Sequence, residues 1–286
     1  MILSRYVSFL TRLVGSFGQR PGLAVRDARQ IPESFFSPYR KFSYRGANFR
    51  IRSDRYDCIT QEIVKQRRIL SDYIGRHPEF LTALTPVKRH ADAPTIARRM
   101  HTASESTGIG PMAAVAGTTA QMAAEAALAA GGTEAVVENG GDIYISSPEE
   151  VVIGLYAGES PLSGKLGLGI QPGEMPLAVC SSSGRMGHSL SLGDCDLATV
   201  TSDDASIADA AATLACNLVS SIDDVDPVMA KILAIPGVRG VLIIKDERIG
   251  ISGRLPALVK HTDHQFSDKI TRDKDSYPPN RSRKSP

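Results

Sequence analysis

The chain has 286 residues, 42% of them hydrophobic and 22% charged, with a formal net charge of +2. That length supports a substantial core, and so small a charge lacks the basic footprint of a nucleic-acid-binding protein. No apolar run approaches the roughly 20 residues that span a bilayer, and Cys58, Cys180, Cys195 and Cys216 show no C-x-x-C spacing, so reduced thiols in a cytoplasmic protein are expected.

Residues 1–26 carry Arg5, Arg12, Arg20 and Arg26 and no acid. Three readings stay open for them: a basic amphipathic helix at a membrane surface, an organellar transit peptide, and a start placed too far upstream. Residues 1–38 are therefore assigned to an N-terminal extension and 39–258 to the folded domain. Residues 259–286 are assigned to a disordered polar tail, too poor in apolar side chains to offset the entropy of ordering.

Within the domain, residues 42–51 read as one strand whose apolar face switches at Gly46, where a bulge is expected. The spacing of Ile59, Ile63, Leu70 and Tyr73 predicts a helix over 56–76, and a short helical turn follows at 78–84. Asp92 with Pro94 signals a helix start, and that helix should end at Gly108. An Ala-rich helix is predicted over 112–130, closed by Gly131-Gly132. Asn139-Gly140-Gly141-Asp142 between two apolar runs is a hairpin signal. Strands are predicted at 135–137, 143–145, 151–157, 165–170, 177–180 and 197–201. A second Ala-rich helix over 207–217, a short one over 227–234, and a final hairpin of 238–244 with 248–252 complete the chain. Adjacent helices and hairpins, without strict alternation, argue for an α+β fold with mostly antiparallel sheet and paired helices.

The second Ala-rich helix carries Asp209, Thr213 and Asn217, each four residues after the last. That spacing puts them on one face of a helix apolar enough to be buried. A buried carboxylate needs a cation or hydrogen-bond donors, and a carboxylate with a hydroxyl one turn on supplies hard oxygen ligands for Mg²⁺. Ser181-Ser182-Ser183-Gly184, leading to Gly187 and His188, reads as a phosphate-cradling loop beside a histidine able to move a proton at neutral pH. Ser183 as a triad nucleophile lacks a G-x-S-x-G elbow. Glu138 and Asp142 flank glycines that permit a ligand to approach the backbone. Arg45, Arg50, Arg52, Arg67 and Arg68 read as solvated faces, and His77, His90 and His101 as isolated surface or capping residues.

Several phrases together resemble the ApbE family, the FAD:protein FMN transferases, and more closely a prokaryotic branch of that superfamily. They are F-x-x-R-x-x-N-F-R-I-x-S-D-R from Phe42, H-P-E-F-L-T from His77, G-P-M-A-A-V-A-G from Gly110 and E-N-G-G-D-I-Y from Glu138. Further on come Y-A-G-x-S-P-L-S-G-K from Tyr156, S-S-S-G-x-x-G-H-S-L-S from Ser181, A-D-A-A-A-T from Ala208 and I-P-G-V-R-G-V-L from Ile235. The resemblance implies duplicated T-fold-related units and a flavin-nucleotide site, for FAD or FMN, lined by Asn139, Gly140, Gly141, Asp142, Ser182 and Gly184. It further implies Mg²⁺ held by Asp209 and Thr213, and His188 with Ser183 as catalytic candidates. The implied chemistry is attack by a threonine hydroxyl of an acceptor protein on the FAD pyrophosphate, with AMP leaving. The chain departs from the family at Gly110 to Gly117, which lacks the family's Asp and Lys, and after His188, where Ser189-Leu190-Ser191-Leu192-Gly193 replaces I-L-D-P-x-T-G. Two further readings follow from those losses: a non-catalytic flavin- or pterin-binding protein, and a structural subunit on the same fold. Whether the chain forms an oligomer is left open.

Overall fold

The computed structural model describes residues 38–158, 160, 163–184 and 193–260, together with the backbone of a two-residue strand, β1 (Arg26–Asp27). The Arg-rich stretch at 1–25 and residues 261–286 lie outside the described residues. Among those described, no helix is long and apolar enough to cross a membrane.

Arg45 and Gly46 both take positive φ, 48° and 77°, as the two-residue turn of a type I′ hairpin requires. Residues 42–51 are therefore not one bulged strand. They belong to two strands, β2 (Arg40–Tyr44) and β3 (Ala47–Ser53), paired antiparallel across that turn. The helix α1 (Tyr56–Arg76) buries Ile59, Ile63, Leu70 and Tyr73, as their spacing predicts. A short α2 (Glu79–Thr82) follows, and then α3 (Thr95–Thr107), which stops at a left-handed Gly108. Asp92 does not start α3. Pro94 directly precedes its first turn, and the Asp92 carboxylate lies 3.0 Å from the His77 ring instead.

A 3₁₀ turn (Pro111–Ala114) leads into α4 (Val115–Ala129). Five strands come next: β4 (Ala135–Asn139), β5 (Asp142–Ser146), β6 (Val151–Gly154), β7 (Leu166–Ile170) and β8 (Leu177–Ser182). They are followed by β9 (Leu197–Ser202), α5 (Ala205–Leu218) and α6 (Val225–Leu233). The chain closes with β10 (Val238–Lys245), β11 (Arg248–Gly253) and β12 (Ala257–Lys260). The last strand carries ordered pairing as far as Lys260, opposite Leu166.

Eight strands form one antiparallel sheet in the order β11-β10-β9-β8-β5-β4-β3-β2. Each half has the same layout: a strand pair, helices, then a second strand pair. A four-stranded sheet, β1-β12-β7-β6, is antiparallel except for the parallel β1–β12 pair. The fold is α+β with mostly antiparallel sheet.

Strand alternation divides the large sheet between two cores. Ala135, Val137, Tyr144, Ala178, Cys180, Val200, Val241 and Ile243 pack with the helices. Their neighbours Val136, Ile143, Ile145, Val179, Leu242 and Ile244 pack with Leu168 and Ile170 of the small sheet. The layers therefore run helices, large sheet, small sheet. The candidate site forms between the first two.

Candidate functional site

Asp204 starts α5 by accepting the Ser206 backbone N–H at 2.8 Å, a side-chain cap on one of the helix's free donors. The helix is rich in alanine because α4 presses close against it. A Cβ on Gly117 would stand 2.4 Å from the Ala205 carbonyl oxygen and 3.0 Å from Asp209 Cβ. In return, the Gly117 N–H donates to Asp209 Oδ2 at 2.8 Å. Gly117 lies in the first turn of α4, where backbone N–H groups have no helical partner and the dipole favours negative charge. Burial nevertheless pushes the Asp209 carboxyl up to about 7, against the downward pull of the Gly117 and Ala116 backbone.

The β4–β5 hairpin brings a second carboxylate to the same face. Gly140 and Gly141 turn with φ of 67° and 107°, and Asn139 and Asp142 pair directly across the turn. Both side chains are buried, and alternation places them on the helix face with Val137 and Tyr144. The Asn139 amide donates to the Ala116 carbonyl at 3.3 Å, so hairpin and α5 both grip the start of α4. Asp142 stands opposite Cys180 in the β5–β8 register. Burial raises its pKa well above the usual carboxylate range, Asp209 raises it further, and the Cys180 thiol and Ser181 backbone pull it down. Asp142 Oδ1 is buried without a hydrogen-bond partner. Among the described residues no lysine or arginine pairs with either carboxylate. Two buried acids in that position must hold a proton or take up a cation.

Thr213, one turn beyond Asp209, is also buried on α5. Asn217 follows it, half-buried near the helix end. The set Asp142, Asp209 and Thr213 is made of oxygen donors and fits a hard cation such as Mg²⁺. Ser182 falls on the helix face by alternation with Cys180. Ser181 points the other way and bonds Thr199 at 2.9 Å. Ser183 and Gly184 continue the strand toward the far end of α5. There the Gly184 N–H donates to the Cys195 carbonyl at 2.9 Å, and Gly193 lies so close that a Cβ on it would meet the Cys216 carbonyl at 2.1 Å. Gly187 and His188 lie outside the described residues.

Some residues are not where the sequence suggested. Glu138 faces away from Asp142, toward Arg50 at 3.6 Å, and burial raises its pKa while Arg50 lowers it. Arg52, expected in solvent, is buried against Glu134 at 2.7 Å and Ser147 at 3.3 Å. His77 and His90 are not isolated but stacked, with ring centroids 3.8 Å apart. His101 is buried and shares a 3.2 Å hydrogen bond with Tyr73. Cys180 is a part of the site that sequence reasoning missed, whereas the Gly117 N–H comes from the Gly-Pro-led, Ala-rich helix start whose N-terminus the sequence offered to an anion.

A family profile described as AbpE bacteria matches residues 47–234. A UPF0280 protein of Methanocella arvoryzae is 41% identical over 246 residues, covering 85% of this chain and 99% of that one. Another, from Methanosarcina acetivorans, is 40% identical over 215 residues, covering 74% and 85%. Among solved structures, the apo flavinyl transferase ApbE of Pseudomonas stutzeri superposes with a TM-score of 0.46 at 11% identity, over 78% of this chain and 96% of that chain. The ApbE protein of Thermotoga maritima gives 0.48 at 14% identity, over 82% and 100%.

Proposed function

The chain belongs to the AbpE bacteria family, and on that premise we propose that its helix-face site binds a flavin nucleotide with Mg²⁺ and transfers FMN from FAD to an acceptor protein. The observation that carries this reading is the buried Asp142–Asp209 pair, with Asp142 Oδ1 unpartnered and, among the described residues, no lysine or arginine paired with either carboxylate. Asp209 and Thr213 hold the cation, and Asp142 adds a third oxygen. Bound there, Mg²⁺ would neutralise charge on the transferring phosphoryl group.

The chain's own groups do the rest. The Gly117 N–H fixes one oxygen of Asp209 and so leaves the direction of the other set. Asn139, tied to Ala116, holds the hairpin so that the bare backbone of Gly140 and Gly141 adjoins the nucleotide. Ser182, on the helix face, would donate its hydroxyl to a phosphate oxygen, and Ser183 and Gly184 continue the cradle beside α5. His188 and Ser183 handle the proton of the attacking hydroxyl.

A second reading has its own support. Ala116-Gly117 stands where the resembled motif has Lys-Gly, so the helix start offers phosphate no side-chain cation. A site that binds a flavin or pterin without turnover fits that loss. The test is incubation of the purified protein with FAD, with and without Mg²⁺, while AMP and FMN are followed by chromatography. Mg²⁺-dependent AMP release, lost in Asp209→Ala and His188→Ala, is the expected result. Saturable FAD binding without release would overturn transfer in favour of the binding reading, and neither binding nor release would overturn both.

A further inference from the structure

The outer edge of the large sheet carries a second surface. β2 is the last strand in the order, and among the described residues no strand pairs beyond it. Its two-residue turn makes Tyr44 and Ala47 a hydrogen-bonded pair, and Phe42 with Phe49 repeats that pairing two residues on. The backbone N–H and C=O groups of Lys41 and Ser43 therefore point to the free edge. The Tyr56 hydroxyl donates to the Lys41 carbonyl at 3.2 Å, and among the described residues nothing bonds the outward groups of Ser43. Beside this edge Phe42, Thr60, Gln61, Val64, Lys65 and Arg68 line a groove of about 310 Å³ between β2 and α1. Where β2 reaches its turn, three guanidinium groups gather round Tyr44. Arg68 Nε donates to the Tyr44 hydroxyl at 3.3 Å, the Arg45 guanidinium lies 5.4 Å from the ring centre, and Arg67 Nη2 donates to the Arg45 carbonyl at 3.0 Å. The Arg68 hydrogen bond lowers the pKa of the phenol, and the three positive charges lower it further, against burial. Among the described residues no carboxylate pairs with Arg45, Arg67 or Arg68, whereas Lys65 is held by Glu62 at 3.0 Å.

We propose that this edge binds an extended acidic peptide of a partner protein. The peptide pairs with Ser43 as an added strand, sets an apolar side chain against Phe42 and Val64, and places a carboxylate among Arg45, Arg67 and Arg68. Strand addition to an open edge is a general mode of peptide recognition, in which main-chain bonds hold and alternate side chains select. Phe42 and Tyr44 share one face of β2, so the apolar residue and the acid stand two positions apart in the peptide. Like charges gathered without a counter-ion repel one another, and a carboxylate seated between them replaces that repulsion with attraction. Arginine forks match carboxylate geometry. The chain's own ends do not complement the surface. Residues 1–26 carry Arg5, Arg12, Arg20 and Arg26 and no acid, and residues 261–286 hold more Lys and Arg than Asp. Single-stranded nucleic acid would also meet the cations, but it needs open rings for base stacking. Here the Tyr44 and Tyr56 rings already face guanidinium groups, the latter that of Arg40 at 3.5 Å, and Phe42 is partly buried against the core. The surface is built from β2 and α1 and stands apart from the flavin reading.

The test follows fluorescence anisotropy of a labelled peptide of repeated Glu-Glu-Val-Val on titration with the full-length protein. A Lys-Lys-Val-Val peptide and an oligodeoxythymidine of equal length serve as the other probes. The acidic peptide should bind saturably and more weakly as salt is raised, and neither other probe should match it. Arg68→Gln should weaken binding by about tenfold or more. Arg45→Asn, a residue suited to the positive φ of the turn, gives the same readout if Arg68→Gln fails to fold. Ser43→Pro, at an outward N–H that the pairing with β3 does not use, should abolish binding. Asp209→Ala should bind the peptide as the wild type does, which separates this surface from the Asp142–Asp209 site. Absent binding, equal binding by the wild type and both arginine variants, or tighter binding of the oligonucleotide would overturn the proposal, whatever the result with FAD.

Discussion

At Asp209 the decisive contest is between burial and two backbone N–H donors, and burial wins, pushing the carboxyl up to about 7. In the unfolded chain the same group ionises near 4. Between those values the folded state holds a proton that the unfolded state has released, so stability falls as pH rises. Metal-free protein should therefore lose on the order of a few kcal/mol between about pH 4 and pH 7, read from urea midpoints at several pH values. Asp209→Asn keeps an acceptor for the Gly117 N–H but has no charge to bury. It should flatten that slope and raise stability at pH 8, and an unchanged slope would count against the assignment. A cation that binds the ionised pair reverses the penalty. The Mg²⁺-induced rise in Tm should accordingly be larger at pH 8 than at pH 5 and be absent in Asp209→Asn.

Among the elements, the α4–α5 contact matters most, because it joins a helix start to a carboxylate on a neighbouring helix. Gly117 is what permits it. A methyl group there would meet the backbone of Ala205 and the Cβ of Asp209, and neither is a flexible chain end. Gly117→Ala should cost about 1–3 kcal/mol by overpacking, measured by denaturant unfolding, and should also weaken the Mg²⁺ response by displacing the N–H from Asp209. A loss of stability with an intact Mg²⁺ response would show that the contact is structural alone. Helix bounds were legible at this scale: the apolar spacing from Ile59 to Tyr73 marks α1, and Gly108 marks the end of α3. The β2–β3 turn was not, because Arg45 takes the positive φ that Asn, Asp or Gly ordinarily signals.

Across the whole molecule, the large sheet is shared by two cores, and its strands β4, β5, β8, β9 and β10 supply side chains to both. Neither core survives without the sheet, so the described fold should unfold in one transition. Leu168→Ala, on the small sheet, should cost about 2–5 kcal/mol. Tyrosine fluorescence, reporting Tyr73 and Tyr144 on the helix side, should shift to the same midpoint as far-UV circular dichroism. Separate midpoints would mean that the small sheet melts alone.

The sequence by itself determined what repeats over short distances. It showed the Asp209–Thr213–Asn217 stripe, the Asn139-Gly140-Gly141-Asp142 hairpin, and the division into paired helices and antiparallel strands. These follow from helical and strand periods and from turn chemistry, which act between residues a few positions apart. Tertiary structure alone decided which of those pieces meet. The β5–β8 register sets Cys180 opposite Asp142, close packing delivers the Gly117 N–H to Asp209, and the return of the chain after α2 stacks His90 on His77. Strand order and helix approach are set by how all the apolar faces are buried at once, and no local pattern carries that information.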